Sequence, residues 1–166
     1  HVFETLAAAG EEVGLRLCGL QAMDSCRIEK AFRHFGHDIT DEDHVLEAGL
    51  GFAVKTGKGD FIGRDAVLAK REAGLARRLV QFRLTDPAPL LFHGEPILRD
   101  GRIAGHVTSG NYGHTLGGAV GLGYVPCAPG EGPDDLLAST FAIDVAGRAC
   151  TAEASLTPLY DPQARR

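Results

Sequence analysis

The second half of the chain consists of short runs in which apolar and polar residues alternate, separated by turns rich in glycine and proline. Alternation with a period of two is typical of strands that bury one face. Asp100-Gly101 lies between two such runs and predicts a tight hairpin. The predicted strands cover residues 79–84, 96–99, 102–108, 119–125, 141–145 and 150–156. Six short strands with little helix between them predict a small barrel or sandwich.

The first 75 residues mix helical and extended signals. Apolar residues at helical spacing, ended by Gly10, predict a helix over residues 2–9. Leu20, Met23 and Cys26 share one stripe of a second helix over residues 20–31. Short extended segments are predicted over residues 15–17 and 49–55.

Charged residues support the predicted helices. Asp24 and Arg27 are three residues apart, and Glu29 and Arg33 are four apart, so both pairs can meet on the second helix. A third helix is predicted over residues 64–73, because acidic and basic residues complement its dipole and Gly74 can end it.

Charge, hydropathy and cysteine content exclude several classes of protein. The 166 residues carry 17 basic and 22 acidic side chains, a net charge of −5, which disfavours nucleic acid and anionic membranes as partners. No apolar stretch approaches the length of a membrane span. The four cysteines form neither a CxxC pair nor zinc spacing, so we expect inert buried thiols, a reducing compartment and a cytoplasmic location.

The sequence carries no motif that assigns a nucleotide site, a metal site or a catalytic nucleophile. The sequence has no GxGxxG and no phosphate-binding P-loop, so this chain does not itself form a Rossmann-type FAD or NAD site. His34, His37 and Asp38 lack the spacing of a metal site, and we predict none. Ser109 and His114 lie near each other without a nucleophile elbow, so no catalytic residue is assigned.

Eight short motifs in a fixed order resemble the C-terminal half of the glycine-cleavage T-protein (aminomethyltransferase) family. The resemblance extends over residues 1–160 and is nearest to the folate-linked tail of sarcosine and dimethylglycine dehydrogenases. The motifs are Asp24-Ser25-Cys26-Arg27-Ile28-Glu29-Lys30, His34-Phe35-Gly36-His37-Asp38-Ile39-Thr40, Glu47-Ala48-Gly49-Leu50-Gly51-Phe52, Gly59-Asp60-Phe61-Ile62-Gly63-Arg64, Arg77-Arg78-Leu79-Val80, Gly94-Glu95-Pro96-Ile97, Gly105-His106-Val107-Thr108-Ser109-Gly110 and Leu122-Gly123-Tyr124-Val125-Pro126.

The resemblance implies an α+β, β-rich fold. Residues 1–75 would form the C-terminal part of an α/β folate-binding domain, residues 76–160 a C-terminal β-barrel, and residues 161–166 a tail. It also implies that a one-carbon unit from an N-methylated amine, or from a lipoyl arm, passes to tetrahydrofolate. Such chemistry needs a carboxylate, a pocket that stacks the pterin and shelter from water.

The resemblance assigns few site residues to this chain. Tyr160 matches a family tyrosine that borders the folate, and Arg27 is predicted to place a charge near the bound folate. Met23 occupies the position of a family arginine, which favours the dehydrogenase branch. The family's essential aspartate and folate-binding glutamate lie upstream of the matching region, so we expect this chain alone to be inactive.

The chain begins at His1 rather than Met, and we expect it to be a fragment whose parent, an oxidoreductase of the sarcosine or dimethylglycine dehydrogenase type, carries FAD in an N-terminal part. The expected partners are those N-terminal domains and a small N-methylated amine. Self-association through the exposed apolar face of the first residues is also expected. Two alternatives stay open: a non-catalytic barrel module that closes a folate pocket, and an aminomethyltransferase of the glycine cleavage system.

Overall fold

A computed structural model describes residues 1–165, and its centre is a closed antiparallel barrel. The strands are β1 (Arg77–Leu84), β2 (Pro96–Arg99), β3 (Arg102–Gly113), β4 (Gly118–Pro126), β5 (Phe141–Val145) and β6 (Arg148–Ser155). Their order around the barrel is β1-β4-β3-β2-β5-β6, and β1 pairs with both β4 and β6 to close it. The prediction of six strands is confirmed among residues 1–165. Of the two predicted architectures, the strands form the barrel and not the sandwich.

Two tight turns join neighbouring strands. Asp100 and Gly101 have φ values of 51° and 77°, and Ala146 and Gly147 have 54° and 84°. Positive φ at both central residues matches the turn type whose twist suits a hairpin. The turns therefore fix the pairing of β2 with β3 and of β5 with β6.

The barrel is filled by the alternate residues of its strands. Val80, Phe82 and Leu84 of β1 point inward, and the Phe82 ring lies 5.5 Å from that of Phe141. A short helix, α4 (Pro133–Leu137), was not predicted and adds the fully buried Leu136 to this core. The remaining buried members of the core are Leu91, Ile97, Val107, Ala119, Val125, Ile143, Cys150 and Ala152.

Two glycines inside strands serve a close approach rather than a turn. A Cβ on Gly105 would lie 2.2 Å from the carbonyl oxygen of Tyr124. A Cβ on Gly123 would lie 2.7 Å from the carbonyl oxygen of His106. Strands β3 and β4 can therefore pack this closely only because both positions lack a side chain.

The first half of the chain is helical and irregular. Its helices are α1 (Val2–Gly10), α2 (Leu20–Glu29) and α3 (Arg64–Ala73), with 3₁₀ turns at Glu11–Val13 and Gly51–Ala53. Helix α3 has the predicted bounds and ends at Gly74, which has φ 85°. Helix α1 ends at Gly10, as the stop signal predicted, and a separate 3₁₀ turn follows up to the left-handed Gly14.

The two extended segments predicted in the first half are wrong. Residues 15–17 have no strand partner, and residues 49–55 contain the 3₁₀ turn instead. A strand needs a neighbour for its backbone hydrogen bonds, and the local pattern alone does not provide one.

Helix α2 buries a different face from its apolar stripe. Leu20 and Met23 are 74% and 49% exposed, whereas Ser25, Ile28 and Glu29 are buried against the barrel. Ser25 Oγ donates to the Tyr112 carbonyl at 2.6 Å. Polar contacts with the barrel, together with the burial of Ile28, therefore orient this helix.

Large apolar side chains in the first 23 residues are exposed. They are Val2, Phe3, Leu6, Val13, Leu15, Leu17, Leu20 and Met23.

Of the four cysteines, only Cys150 is buried, so the expectation of buried thiols is wrong for Cys18 and Cys26, which are exposed. Among residues 1–165, no helix is both long enough and apolar enough to cross a bilayer.

Candidate functional site

Gln81 connects three parts of the chain at the outer wall of the barrel. It lies on β1 and is only 2% exposed. Its Nε2 donates to the carbonyls of Ile28 and Glu29 at 2.6 and 3.1 Å, and its Oε1 accepts from the Leu159 amide at 2.8 Å. Gln81 thus satisfies the end of α2 and holds the last residues of the chain against it.

Tyr160 follows directly and is held by the same end of α2. Its amide donates to the Glu29 carbonyl at 3.3 Å. Lys30 Nζ lies 5.9 Å from the centre of the Tyr160 ring and 2.9 Å from Asp161 Oδ2. Tyr160 is therefore held in place by its own amide and by its chain neighbours, which contact residues far away in the sequence.

A cleft, here called the C-terminal cleft, is lined by Pro158 and Asp161, which lie on either side of Tyr160 in the chain. Its volume is about 700 Å³, and it is bounded by residues after α2, the 3₁₀ turn at Gly51–Ala53 and the last residues of the chain. The Phe32 and Phe52 side chains are 54% and 80% exposed. Aromatic faces beside a cation–carboxylate pair can stack a flat ring and bind a polar edge. The residues that line the cleft include Lys30, Phe32, Phe52, Pro158 and Asp161.

Arg27 is held by contacts within the protein. Its Nε donates to Asp24 at 2.7 Å, which confirms the predicted helix pair, and one Nη1 bond reaches Asp38 at 2.9 Å. Its Nη2 donates to Ser109 Oγ at 2.9 Å, and Nη1 also donates to the Phe32 carbonyl at 3.1 Å. A guanidinium has five N–H groups, so one N–H on Nη2 is left for a ligand.

A β-bulge presents the hydroxyls that complete this network. Val107 and Ser109 pair with successive residues of β4, leaving Thr108 as the extra residue. Thr108 Oγ1 donates to Asp38 Oδ1 at 2.6 Å, and the His34 amide donates to Oδ2 at 2.9 Å. The Asp38 carboxylate is thus buried, hydrogen-bonded and paired, which indicates a structural role.

Arg27 and Tyr160 do not line a common cleft. Arg27 lines a second cleft of about 300 Å³, here called the histidine cleft, together with His34, His37 and His93. The rings of His34 and His37 are stacked with centroids 4.6 Å apart. The structure does not bring the two sequence-predicted site residues into one cavity.

The predicted pair of Glu29 with Arg33 is wrong. Glu29 Oε1 accepts from the amides of Thr115 and Leu116 at 2.7 and 2.9 Å. Arg33 donates instead to the carbonyls of Ala48 and Ala31. Both side chains therefore bind backbone groups in the folded chain instead of each other.

Glu47 is a connecting residue that sequence reasoning missed. Lys70 Nζ of α3 lies 2.6 Å from its carboxylate, and Arg77 Nε of β1 lies 3.1 Å away. Burial opposes ionisation, but the hydrogen bonds from Lys70 and Arg77 outweigh it and lower the pKa of Glu47. Its place in a family motif was the available signal, and only the structure shows its partners.

Comparison with known protein families gives two matches. The family described as the glycine cleavage T-protein C-terminal barrel domain matches residues 77–161. The family described as the GCVT N-terminal domain matches residues 1–58. The first match covers the barrel and the residues up to Asp161, including Thr108 and Ser109. The second covers α1, α2 and Asp38 itself.

Curated relatives are similar over the length of the chain. A 4-methylaminobutanoate oxidase (formaldehyde-forming) from Paenarthrobacter nicotinovorans is 41% identical over 100% of this chain and 20% of its own length. The mitochondrial sarcosine dehydrogenase from Homo sapiens is 37% identical over 99% of this chain and 18% of its own. The chain therefore spans about a fifth of these relatives.

A solved structure has the same fold. The glycine cleavage system aminomethyltransferase T from Bartonella henselae superposes with a TM-score of 0.80 at 26% identity. The superposition covers 97% of this chain and 45% of that one.

Proposed function

Because this chain belongs to the glycine cleavage T-protein family, we propose that it is the C-terminal part of a folate-dependent one-carbon enzyme. The enzyme transfers a one-carbon unit from a small N-methylated amine to tetrahydrofolate. The observation that carries the proposal is the C-terminal cleft with its two exposed phenylalanines, whose lining includes Asp161, the residue after the anchored Tyr160. The similarity to an oxidase and a dehydrogenase named for N-methylated amines supports the substrate class.

The residues of the C-terminal cleft fit one side of a folate. Phe32 and Phe52 offer exposed aromatic faces to a flat pterin, and Tyr160 lies in sequence between the lining residues Pro158 and Asp161. The volume of about 700 Å³ lies within the usual range for small-molecule sites. Tetrahydrofolate, when bound, supplies the amine nitrogens that accept the one-carbon unit.

The chain's own residues position and shelter the ligand. Gln81 and the Lys30–Asp161 pair fix the residues around Tyr160, so that the cleft is formed before a ligand binds. Apolar walls keep water from a reactive iminium or from formaldehyde. Arg27 contributes its one remaining N–H from the histidine cleft, as a second and separate folate contact.

We propose that the catalytic groups and the rest of the folate-binding domain lie in the part of the parent protein that this chain does not include. Residues 1–75 are proposed to complete a folate-binding domain together with that part, and residues 76–160 to form the barrel that closes its cavity. The proposed parent is of the dehydrogenase type, with FAD in its N-terminal part. The chain alone is therefore expected to show no turnover.

Titration with 5-formyltetrahydrofolate, followed by amide NMR shifts, tests the proposed site. Shifts should concentrate in residues 30–33, 50–53 and 156–164. Phe52→Ala should weaken binding about tenfold, because it removes a stacking face. Phe35→Ala, an equally aromatic and 69% exposed side chain outside the cleft, is the matched control and should leave binding unchanged.

Two results would contradict the proposal. An equal loss of binding affinity in the Phe52 and Phe35 variants would show that the cleft does not bind the pterin specifically. Tetrahydrofolate-dependent product formation by the purified chain alone would show that the catalytic groups are all present within it.

A further inference from the structure

A third cleft shares no lining residue with the C-terminal cleft proposed to bind folate. It is bounded by the end of α3, the start of β1 and the loop between β4 and α4, and its volume is about 690 Å³. We call it the arginine cleft, after Arg71 and Arg78. The apolar part of its wall includes Leu46, Leu75 and Pro129.

Arg78 has an unsatisfied donor in this cleft. Its Nε is buried and has no hydrogen-bond partner among the described residues. Burial raises the pKa of the neighbouring Cys127 thiol, and the positive charge of Arg78 partly offsets this by favouring the thiolate. A thiol is a weak acceptor, so Cys127 compensates the Arg78 guanidinium only weakly. An oxyanion that reaches the outer part of the guanidinium would bind it more strongly than the thiol does.

The carboxylate of Glu131 in the same cleft is already occupied. Arg99 donates to both of its oxygens, with one contact at 3.2 Å, and the Ala128 amide donates to Oε2 at 2.9 Å. Within residues 1–165, neither Arg71 nor Arg78 forms an ion pair with an aspartate or glutamate. Arg71 and Arg78 thus lack a direct carboxylate partner, and Glu131 acts on Arg78 only at longer range, although the whole chain carries −5.

We propose that the arginine cleft binds a small organic oxyanion, a carboxylate or phosphate, between Arg71 and Arg78. Guanidinium groups match the geometry of both oxyanions and are weakly hydrated, so they bind them well at partly buried positions. The apolar wall accommodates the carbon skeleton that carries the anion.

Inorganic phosphate and succinate serve as probes, each titrated at constant ionic strength. Binding is followed by the Nε–Hε signal of Arg78 and by the backbone amides of residues 127–131. A saturable shift with phosphate alone identifies phosphate esters as the ligand class, and one with succinate alone identifies carboxylates. A shift with both identifies a site that accepts either anion.

Charge-matched variants separate a built site from general attraction. Arg71→Gln should weaken binding about tenfold, the loss expected for one charge-assisted hydrogen bond. Arg102→Gln removes the same charge from the exposed start of β3 and should change binding less than twofold. Arg78→Lys keeps the charge but lacks the Nε donor, and it should also weaken binding.

The proposal is overturned by either of two outcomes. One is the absence of a saturable shift with both probes in the wild-type protein. The other is an equal effect of Arg71→Gln and Arg102→Gln, because that would show attraction by overall charge alone. Since Arg71 is exposed, the Arg71 variant gives an answer even if the Arg78 variant does not fold.

Discussion

At the scale of single residues, Arg27 shows how a charged side chain can serve the fold at a predicted site. It pairs with Asp38, whose side chain is 0% exposed, and connects α2 to β3 through Ser109. Removal of the arginine leaves a buried carboxylate without its countercharge. The same side chain lines the histidine cleft, so its structural and binding roles have to be separated by experiment.

Arg27→Gln is expected to lower the free energy of unfolding by about 3 kcal/mol, because Asp38 loses its ion pair while it stays buried. Urea denaturation measures the change. The control is Arg102→Gln, an exposed arginine without an ion pair among residues 1–165, which should fall within about 0.5 kcal/mol of wild type. A loss below about 1 kcal/mol for the Arg27 variant would contradict a structural role.

Residue-level patterns predicted only part of the site. The Asp24–Arg27 pair followed from helical spacing, and the structure confirms it at 2.7 Å. The roles of Thr108 and Gln81 could not be predicted, because a bulge and the return of the last residues to α2 bring their partners together. Contacts that depend on a shift of strand register leave no periodic signal in the sequence.

At the scale of elements, Glu47 connects the loop before α3 to the barrel. It binds Lys70 of α3 and Arg77 of β1, and its own carbonyl accepts from the Leu79 amide at 2.8 Å. These contacts favour the ionised carboxylate and lower its pKa in the folded state. Its contribution to stability is therefore complete above the unfolded pKa of about 4.3 and is lost as the pH falls through the lower folded pKa.

Glu47→Gln should destabilise the protein at pH 7 and flatten the loss of stability on acidification below about pH 4.3. Denaturation midpoints measured from pH 7 to 3 test this. Glu42→Gln, an exposed carboxylate nearby in sequence, should retain the wild-type profile. If the Glu47 variant kept the full acid dependence of the wild type, the assigned linkage would be wrong.

Element prediction was accurate where local rules decide the structure. Helix α3 and the Asp100-Gly101 hairpin depend on capping residues and turn residues, which the sequence carries locally. Residues 49–55 were predicted extended but contain a 3₁₀ turn, and α2 buries the face opposite its apolar stripe. In these two cases tertiary contacts outweigh the weak local preference.

At the scale of the whole molecule, the barrel and the first residues differ in burial. The barrel has a continuous buried core, whereas Gly10 is the only buried residue of α1. Exposed apolar side chains such as Phe3 and Leu6 lose the stabilisation that burial would give, at about 25 cal/mol per Å². We therefore expect this apolar face to be covered by the other domains of the parent or by a second copy of the chain.

Hydrogen exchange on a dilute monomer is expected to show lower protection for residues 1–50 than for the barrel strands, because few buried contacts oppose local opening of α1. Buried amides at the junction, such as those next to Ile28, should be the exception. Uniform protection over residues 1–160 would contradict the expected difference between the two parts.

The position of a bound pterin tests the central claim most directly. A crystal structure of this chain with 5-formyltetrahydrofolate should show the pterin ring in the C-terminal cleft, in contact with Phe52 and close to Tyr160. A ring bound in the histidine cleft or the arginine cleft, or a C-terminal cleft left empty at saturating ligand, would contradict the account.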